Sequence, residues 1–447
     1  MKLIYTFVVS GIGLVAMSCV AYLLTLFCAA MLARRAAHNV ACNNKTGLEP
    51  VALPKPDLQV TVVVPAHNEE LVLAATLTSL KAQDYPAPLL EVVVVADNCT
   101  DSTADIARAF GVTVLERFHA EERGKGYALD WAISHLLARQ EAPDAVVIVD
   151  ADTWVAPDFV GIMAARLVSQ ADADGCCALQ GRYGVLNQAD GWRSALMSGA
   201  FDLVNHIRPL GYDRIGLTIA LKGNGMAFTR EVLKRARWQG HSITEDMDYG
   251  LDLIRFHGIR VRYVPEARVL AQMPVTAGQA ASQRARWEGG RYRLLRERAL
   301  PLLKEGLLHR NLQIIDAAVA LLVPPLAELA AILLFWGALI AVGSLRHLLF
   351  GPRWFAALFA LSLLGFLTYI LGGFRVADAP REVYGALFKA PLYILWKLAL
   401  YAAGLFRRRK ASPGSQPEWI RTDRIAVSAP APSEPDPALS PHEKQIR

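Results

Sequence analysis

The chain has 447 residues, is 53% hydrophobic with a mean hydropathy of +0.27, and carries a formal charge of +6. That is enough for one globular domain plus a membrane part, and neither alone accounts for the composition. The basic residues are spread out or sit beside apolar runs, the pattern of the positive-inside rule, which argues against a nucleic-acid partner.

From Leu3 to Ala33 no residue is charged, and Arg34 and Arg35 follow. At ~1.5 Å per residue this run exceeds the ~30 Å of a bilayer core and is too long for a signal-peptide apolar region. It predicts a retained transmembrane helix with its arginine end cytoplasmic. Val51 to Asp57, with two prolines, reads as a linker. The six cysteines (Cys19, Cys28, Cys42, Cys99, Cys176 and Cys177) lack CxxC or zinc-knuckle spacing. A disulfide framework and a structural metal are therefore not indicated, and a reduced, cytosol-facing domain fits best.

Between Gln59 and Val149 strand and helix alternate. Strands are expected at 59–64, 91–96, 112–115 and 145–149, and helices at 71–82, 102–110 and 127–138. Repeated βαβ of this kind predicts an α/β fold with a doubly wound, mostly parallel sheet. Ligands of such sheets bind beyond the carboxyl ends of the strands. The strand ends here carry Pro65-Ala66-His67-Asn68-Glu69, Asp97-Asn98-Cys99-Thr100-Asp101 and Asp150-Ala151-Asp152. One acidic strand end is ordinary capping material; three on one edge point to a site.

Asp150 and Asp152, expected on the same side of the pleat at the strand end, are hard oxygen ligands suited to Mg²⁺ or Mn²⁺, whose shell phosphate oxygens usually complete. A diphosphate ligand follows, with a solvated turn as the bland alternative. Arg123-Gly124-Lys125-Gly126 opens a helix, so Lys125 and Gly126 can face a nucleotide or its phosphates. Lys222-Gly223-Asn224-Gly225 enters an apolar strand as a substrate-approach loop or a plain turn. Glu245-Asp246 begins an amphipathic helical pattern, and one of the two is placed to take a proton from an acceptor hydroxyl. In Gln283-Arg284-Ala285-Arg286-Trp287, Arg286 offers a bidentate fork to a diphosphate and Trp287 a plate for a sugar ring; a membrane-interface belt is the alternative.

After Arg298 the composition turns apolar. Ala317 to Leu345, interrupted by Pro324-Pro325 and Glu328, and Trp354 to Phe374 are both long enough to span. Glu382 to Phe406 contains Lys397 and ends in Arg407-Arg408-Arg409-Lys410. It is expected to lie in the interface or re-enter, since two spans already return the chain to the cytoplasm; a fourth span is the other option. Beyond Lys410 the proline-rich tail is expected to be mostly disordered, with Trp419-Ile420-Arg421-Thr422 as a docked patch. The expected division is 1–50 (membrane helix and linker), 51–300 (catalytic domain), 301–410 (membrane region) and 411–447 (tail).

The ordered series PAHNEE, DNCTDST, RGKGYAL, DADT, KGNGMAF, TEDMDYG and QRARW, followed by apolar helices, resembles a membrane-bound family 2 glycosyltransferase with a GT-A domain, similar to cellulose, hyaluronan, chitin and poly-N-acetylglucosamine synthases. The likeness covers roughly residues 58 to 300. It implies an inverting transfer from a nucleotide sugar, usually a UDP-sugar, to a glycan or lipid-linked acceptor at a bacterial inner membrane, in exopolysaccharide or envelope glycan synthesis. By resemblance Pro65, His67, Glu69 and Asp97 contact the nucleoside, with Lys125 nearby, and Asp150 and Asp152 hold the diphosphate through the metal. Asp246 is the general base beside Glu245, and Gln283, Arg286 and Trp287 form the acceptor and diphosphate clamp. Many relatives have a paired Asp where this chain has Ala96-Asp97. Processive synthases generally carry more helices, so three or four spans leave non-processive action, self-association or an export partner subunit open. A single-sugar transferase and a non-catalytic export scaffold are the competing readings.

Overall fold

The computed structural model describes residues 1–43, 57–239, 242, 244–274 and 277–408. The linker expected at 51–57, apart from Asp57, and the tail with its Trp419 patch lie outside the described residues.

The globular part begins with β1 (Val60–Ala66), α2 (Leu73–Lys81), β2 (Leu90–Asp97), α3 (Thr103–Ala109), β3 (Thr113–Arg117), α4 (Lys125–Leu137) and β4 (Ala145–Ile148), preceded in the chain by the long helix α1 (Lys2–Asn43). Every expected strand and helix of this stretch is present within a few residues. The strands are continuous apolar runs because both faces are covered. Val62, Val64, Val94 and Val147 pack beneath Leu73 and Leu77 of α2, whereas Val63, Val93, Val95 and Val146 pack against Leu129 and Ile133 of α4. The period-2 alternation therefore selects between two cores, not between core and solvent.

The chain continues through β5 (Thr153–Val155), α5 (Phe159–Gln170), β6 (Ala178–Val185), α6 (Trp192–Phe201), a π-helical turn at Asp202–Ile207, α7 (Arg208–Arg214), β7 (Met226–Thr229), α8 (Arg230–Arg235), α9 (Glu245–His257) and β8 (Val261–Ala271). The eight strands form one sheet in the order β3-β2-β1-β4-β7-β6-β8-β5. Pairings from β3 to β4 and between β6 and β8 are parallel; β4 with β7, β7 with β6, and β8 with β5 are antiparallel. The sheet is mixed and mostly parallel, because β7 runs antiparallel to both of its neighbours, β4 and β6, and β5 antiparallel to β8.

The remaining elements are α10 (Ala277–Leu308), α11 (Leu312–Leu322), α12 (Leu326–Leu345), α13 (Pro352–Val376), α14 (Arg381–Ala386) and α15 (Ala390–Arg408). The apolar run from Ala317 to Leu345, expected as one span, is broken at Val323-Pro324-Pro325. Pro removes a helix donor and disfavours helical backbone before it. The first piece becomes α11, an amphipathic helix packed on α10 through Ile314, Ala318 and Leu321; only the second is long and apolar enough to cross a membrane.

Among the described residues three helices meet that criterion: Lys2–Ala36, Leu326–Leu345 and Pro352–Val376. They pack together through small residues that admit large partners, as membrane helices do. A Cβ on Gly13 would meet the Trp336 ring at 2.4 Å and one on Gly372 the Phe27 ring at 2.5 Å. Their polarity is consistent. Arg34, at the end of α1, pairs with Asp378 just beyond α13 at 2.8 Å, while at the other end Tyr5 donates to the Leu339 carbonyl and Thr6 accepts from Phe350 N–H. Tyr22 of α1 bonds Tyr212 of α7 and Asp316 of α11, fastening the globular part to the membrane helices.

Candidate functional site

One cavity of about 2260 Å³ lies between the strand ends, α9, α10 and the membrane helices. Every candidate residue read from the sequence lines it: Pro65, His67, Glu69, Asp97, Lys125, Asp150, Asp152, Glu245, Asp246, Gln283, Arg286 and Trp287.

At the strand ends the chain turns sharply. Asn68 and Asn98 take left-handed backbone (φ 55° and 50°), which Asn tolerates better than most residues. The Asn68 side chain accepts Thr100 N–H at 2.7 Å, and Glu69 N–H donates to Thr103 Oγ1 at 2.8 Å, so two loops brace each other. His67 Nδ1 lies 2.7 Å from the Asp97 carbonyl. The Asp97 carboxylate is buried and paired at 2.8 Å with Arg117, equally buried. Nothing in the sequence marks Arg117, which ends β3 two residues beyond the expected strand.

Asp150 and Asp152 sit beyond β4 in the turn leading to β5, rather than on one side of a pleat. Strand pairing ends at Ile148, and the turn is set by side chains: Asn224 Oδ1 accepts Asp150 N–H at 3.1 Å, Asn224 Nδ2 donates to Thr153 Oγ1 at 2.8 Å, and Thr76 Oγ1 donates to the Ala151 carbonyl at 2.7 Å. Asn224 belongs to the KGNG loop, whose Gly223 and Gly225 need positive φ (76° and 68°). That loop is a structural clamp on the acidic turn. Lys125, expected near the nucleoside, bridges Asp150 Oδ1 and the Gly223 carbonyl, each at 2.5 Å. It does open α4 as expected, after Gly124 at φ 121°.

The Lys125 ammonium marks a place for positive charge. Two carboxylates on one turn, open to a cavity, are hard oxygen donors of the kind that Mg²⁺ or Mn²⁺ takes when other ligands complete its shell. Among the described residues no cluster of three or more His, Cys, Asp or Glu side chains forms an all-protein cage. The residues present fit a cation completed by its ligand.

Glu245 and Asp246 stand at the N-terminus of α9, where the helix dipole favours carboxylates. Burial dominates nonetheless. It raises Glu245 to about 8, assisted by Asp246 and opposed by Lys125. It also raises Asp246, opposed by Lys125, by hydrogen bonding to backbone N–H and by Lys222. Burial pulls Lys125 down, but Asp150, Glu245 and Asp246 outweigh it and the ammonium is held above its ordinary value. Lys222, with less compensation, falls to about 8.

The third wall is α10. Gly290 lies where any Cβ would strike Thr244 at 2.2 Å, so the helix carrying QRARW presses directly on the cap of α9. Gln283 is buried, and its Oε1 has no hydrogen-bond partner among the described residues. The Trp287 ring stands 6.2 Å from Phe201, which meets Tyr183 edge-on at 5.2 Å, forming an aromatic wall. Beyond it Lys397 of α15, 4% exposed at its side chain, pairs with Glu288 at 2.8 Å and Glu328 at 3.2 Å, and Tyr292 donates to Glu328 at 2.7 Å. Glu328 and Lys397, each awkward in an apolar run, answer each other across three helices.

A model of the family described as "Glycosyltransferase like family 2" matches residues 56–290. The chain belongs to that family. The protein is an enzyme of the glycosyltransferase class, and its globular part has the mixed, mostly parallel sheet described above. Over 304 residues it is 29% identical to an N-acetylglucosaminyltransferase of Rhizobium leguminosarum bv. viciae, covering 64% of this chain and 69% of the relative. Over 246 residues it is 30% identical to a beta-monoglucosyldiacylglycerol synthase of Synechocystis, covering 53% of this chain and 49% of the relative. Among solved structures it is similar to a mannosyltransferase of Pyrobaculum calidifontis in complex with GDP-Man and Mn²⁺, at 22% identity and TM-score 0.42, over 80% of this chain and 99% of that one.

Proposed function

We propose that this glycosyltransferase moves a sugar from a nucleotide donor, a UDP-sugar by preference, to the hydroxyl of a glycan or lipid-linked acceptor held at the inner face of a bacterial plasma membrane. The observation that carries the reading is the convergence of three distant pieces of chain, 150–152, 245–246 and 283–287, on one cavity. Residues 57–300 act as the catalytic unit, and the helices beyond supply the membrane seat. Envelope or exopolysaccharide synthesis is the setting this implies, with self-association or an export subunit needed if the product is a polymer.

The nucleoside lies against Pro65, His67, Glu69 and Asp97, whose buried ion pair with Arg117 fixes the strand end. Asp150 and Asp152 hold Mg²⁺ or Mn²⁺, which when bound supplies charge neutralisation at the diphosphate. Lys125 and Arg286 are the chain's own cations for that leaving group. Trp287 offers a face to the acceptor, and the open Gln283 Oε1 offers it a hydrogen-bond acceptor. Asp246 takes the acceptor proton as the acceptor oxygen bonds to C1, the bond from C1 to the phosphate oxygen breaks on the opposite face, and configuration inverts. Burial raises both carboxyls of this pair, and the assignment of the base to Asp246 follows the family resemblance of the TED segment.

Replacing Asp246 with Asn removes the base while keeping size and burial. Transfer should fall by at least about 10²-fold with nucleotide affinity retained, measured by product formation and a UDP-binding isotherm. Undiminished transfer in D246N would remove Asp246 from the mechanism.

A further inference from the structure

The cavity does not stop at the aromatic wall. It continues between α12, α13 and α15, lined by Leu326, Ala330 and Leu334, by Phe366 and Ile370, and by Ile394. From residue 325 onward every lining side chain except Tyr393 and Lys397 is apolar, and Lys397 is already committed to Glu288 and Glu328.

Its depth is limited. On α12 the lining ends at Leu334 and on α13 it starts at Phe366, although those helices run on to Leu345 and back to Pro352. Eight residues of helix from Leu326 to Leu334 are about 12 Å, close to half of a ~30 Å hydrocarbon core. The outer half is closed by packing: Trp336 is buried against Gly13 and meets Phe359 edge-on at 5.8 Å. The inner half is open sideways, since Leu334, Leu367 and Leu395 line the cavity and are also exposed on the membrane face.

A glycan strand is a poor occupant of such a space. Each buried hydroxyl left without a partner costs about 1–3 kcal/mol, and a sugar carries several. An alkyl chain gains about 0.8 kcal/mol per buried CH₂, and a one-leaflet depth suits its length. A translocation path would also have to cross the Trp336 plug.

We infer that the apolar annex binds the chains of a membrane lipid bearing a free hydroxyl, which enters sideways between α12, α13 and α15 and presents that hydroxyl to Asp246 as the acceptor. The inference rests on the transfer reaction proposed above and names its acceptor. The lipid oxygen bonds to C1 of the sugar, its proton passes to Asp246, and the nucleoside diphosphate departs with the electrons of the broken C1–O bond. The enzyme adds sugar within one leaflet and exports nothing.

The test uses the full chain in phosphatidylcholine vesicles with Mn²⁺ and radiolabelled UDP-glucose, UDP-N-acetylglucosamine and GDP-mannose. The acceptor arms are dioleoylglycerol, an isoprenoid phosphate and a soluble sugar oligomer. The expected product is one labelled glycolipid from dioleoylglycerol. Ala330→Trp and Ile370→Trp, which fill the annex, should each lower its yield at least tenfold with UDP affinity unchanged, whereas Leu361→Trp on the outward face should not. A diazirine-tailed diacylglycerol should crosslink to α12, α13 or α15, a readout independent of the folding of those variants. A polymer ladder on the soluble oligomer that ignores both tryptophans, transfer confined to the isoprenoid phosphate, or crosslinks only outside these helices would overturn the lipid-alcohol acceptor while leaving nucleotide-sugar transfer standing. Failure to bind any nucleotide or hydrolyse any donor would instead overturn the transfer reading itself.

Discussion

The two halves of the sheet solve different problems. The parallel half, β3-β2-β1-β4, builds its part of the cavity from strand ends and the loops that directly follow them, and around β1 to β3 its polar contacts are local: Asn68 with Thr100, His67 with Asp97, Asp97 with Arg117; the turn after β4 reaches further, to Thr76 and Asn224. The half running from β7 to β5 contributes little by itself. Its loop Lys222–Gly225 props the acidic turn, its following helix α9 is capped under α10, and α10 is in turn tied by Glu288 to α12 and α15. On the function proposed above, the nucleotide is met by the more local unit and an acceptor from the bilayer by elements anchored there.

If the parallel half is self-contained, damage inside it should be severe and should register as lost stability. Arg117→Met leaves the Asp97 carboxylate buried and unpaired, which costs about 3–5 kcal/mol, and should lower the unfolding temperature and nucleotide binding together. Adding Asp97→Asn should recover much of the stability, because no charge then remains uncompensated. Unfolding at the wild-type temperature in the single variant would show that the donor half does not lean on this pair.

Damage at the junction of the other half should instead separate binding from turnover. In Gly290→Leu the new side chain collides with Thr244 and pushes α10 off the cap of α9. Misplacing a catalytic group by an ångström costs about 10²-fold. Transfer should fall by that order while the UDP isotherm stays within about twofold of wild type. An equal loss in both would mean that donor and acceptor sides are one mechanical unit.

The same contrast explains what could be read from the residues. Apolar runs ending in His67, Asp97 and Asp150 announce strands and a polar edge because period and punctuation are local. Arg117 is different: nothing near it in sequence says that a strand-end arginine is buried against a carboxylate twenty residues earlier. The glycines beside Lys125 suggest a cation that faces a nucleotide or its phosphates, whereas its observed seat on Asp150 depends on Gly223, ninety-eight residues away. Glu328 and Lys397 are each improbable in an apolar segment, and the meeting of two such residues is decided by the crossing of helices, which no window of sequence contains. The break at Pro324-Pro325 is visible in the sequence, but its effect, turning the first residues of an expected span into the end of the amphipathic helix α11, depends on the surface that α10 offers.

Lys125 gives the smallest effect and the finest probe of where donor and acceptor halves touch. Its ammonium holds down the protonation of Asp246 and Glu245, both raised by burial. A base must be deprotonated to act, so transfer falls as pH drops through the Asp246 value, which already stands above the ordinary carboxylate range. In Lys125→Ala the opposing charge is gone and burial acts with less opposition, so the acid limb of kcat must move to higher pH. Transfer should fall most at the acid end of the range and recover toward wild type as pH is raised, with Mn²⁺ and donor saturating. A uniform drop at every pH would mean that Lys125 serves the leaving group alone. A limb displaced toward acid would place the working base away from α9.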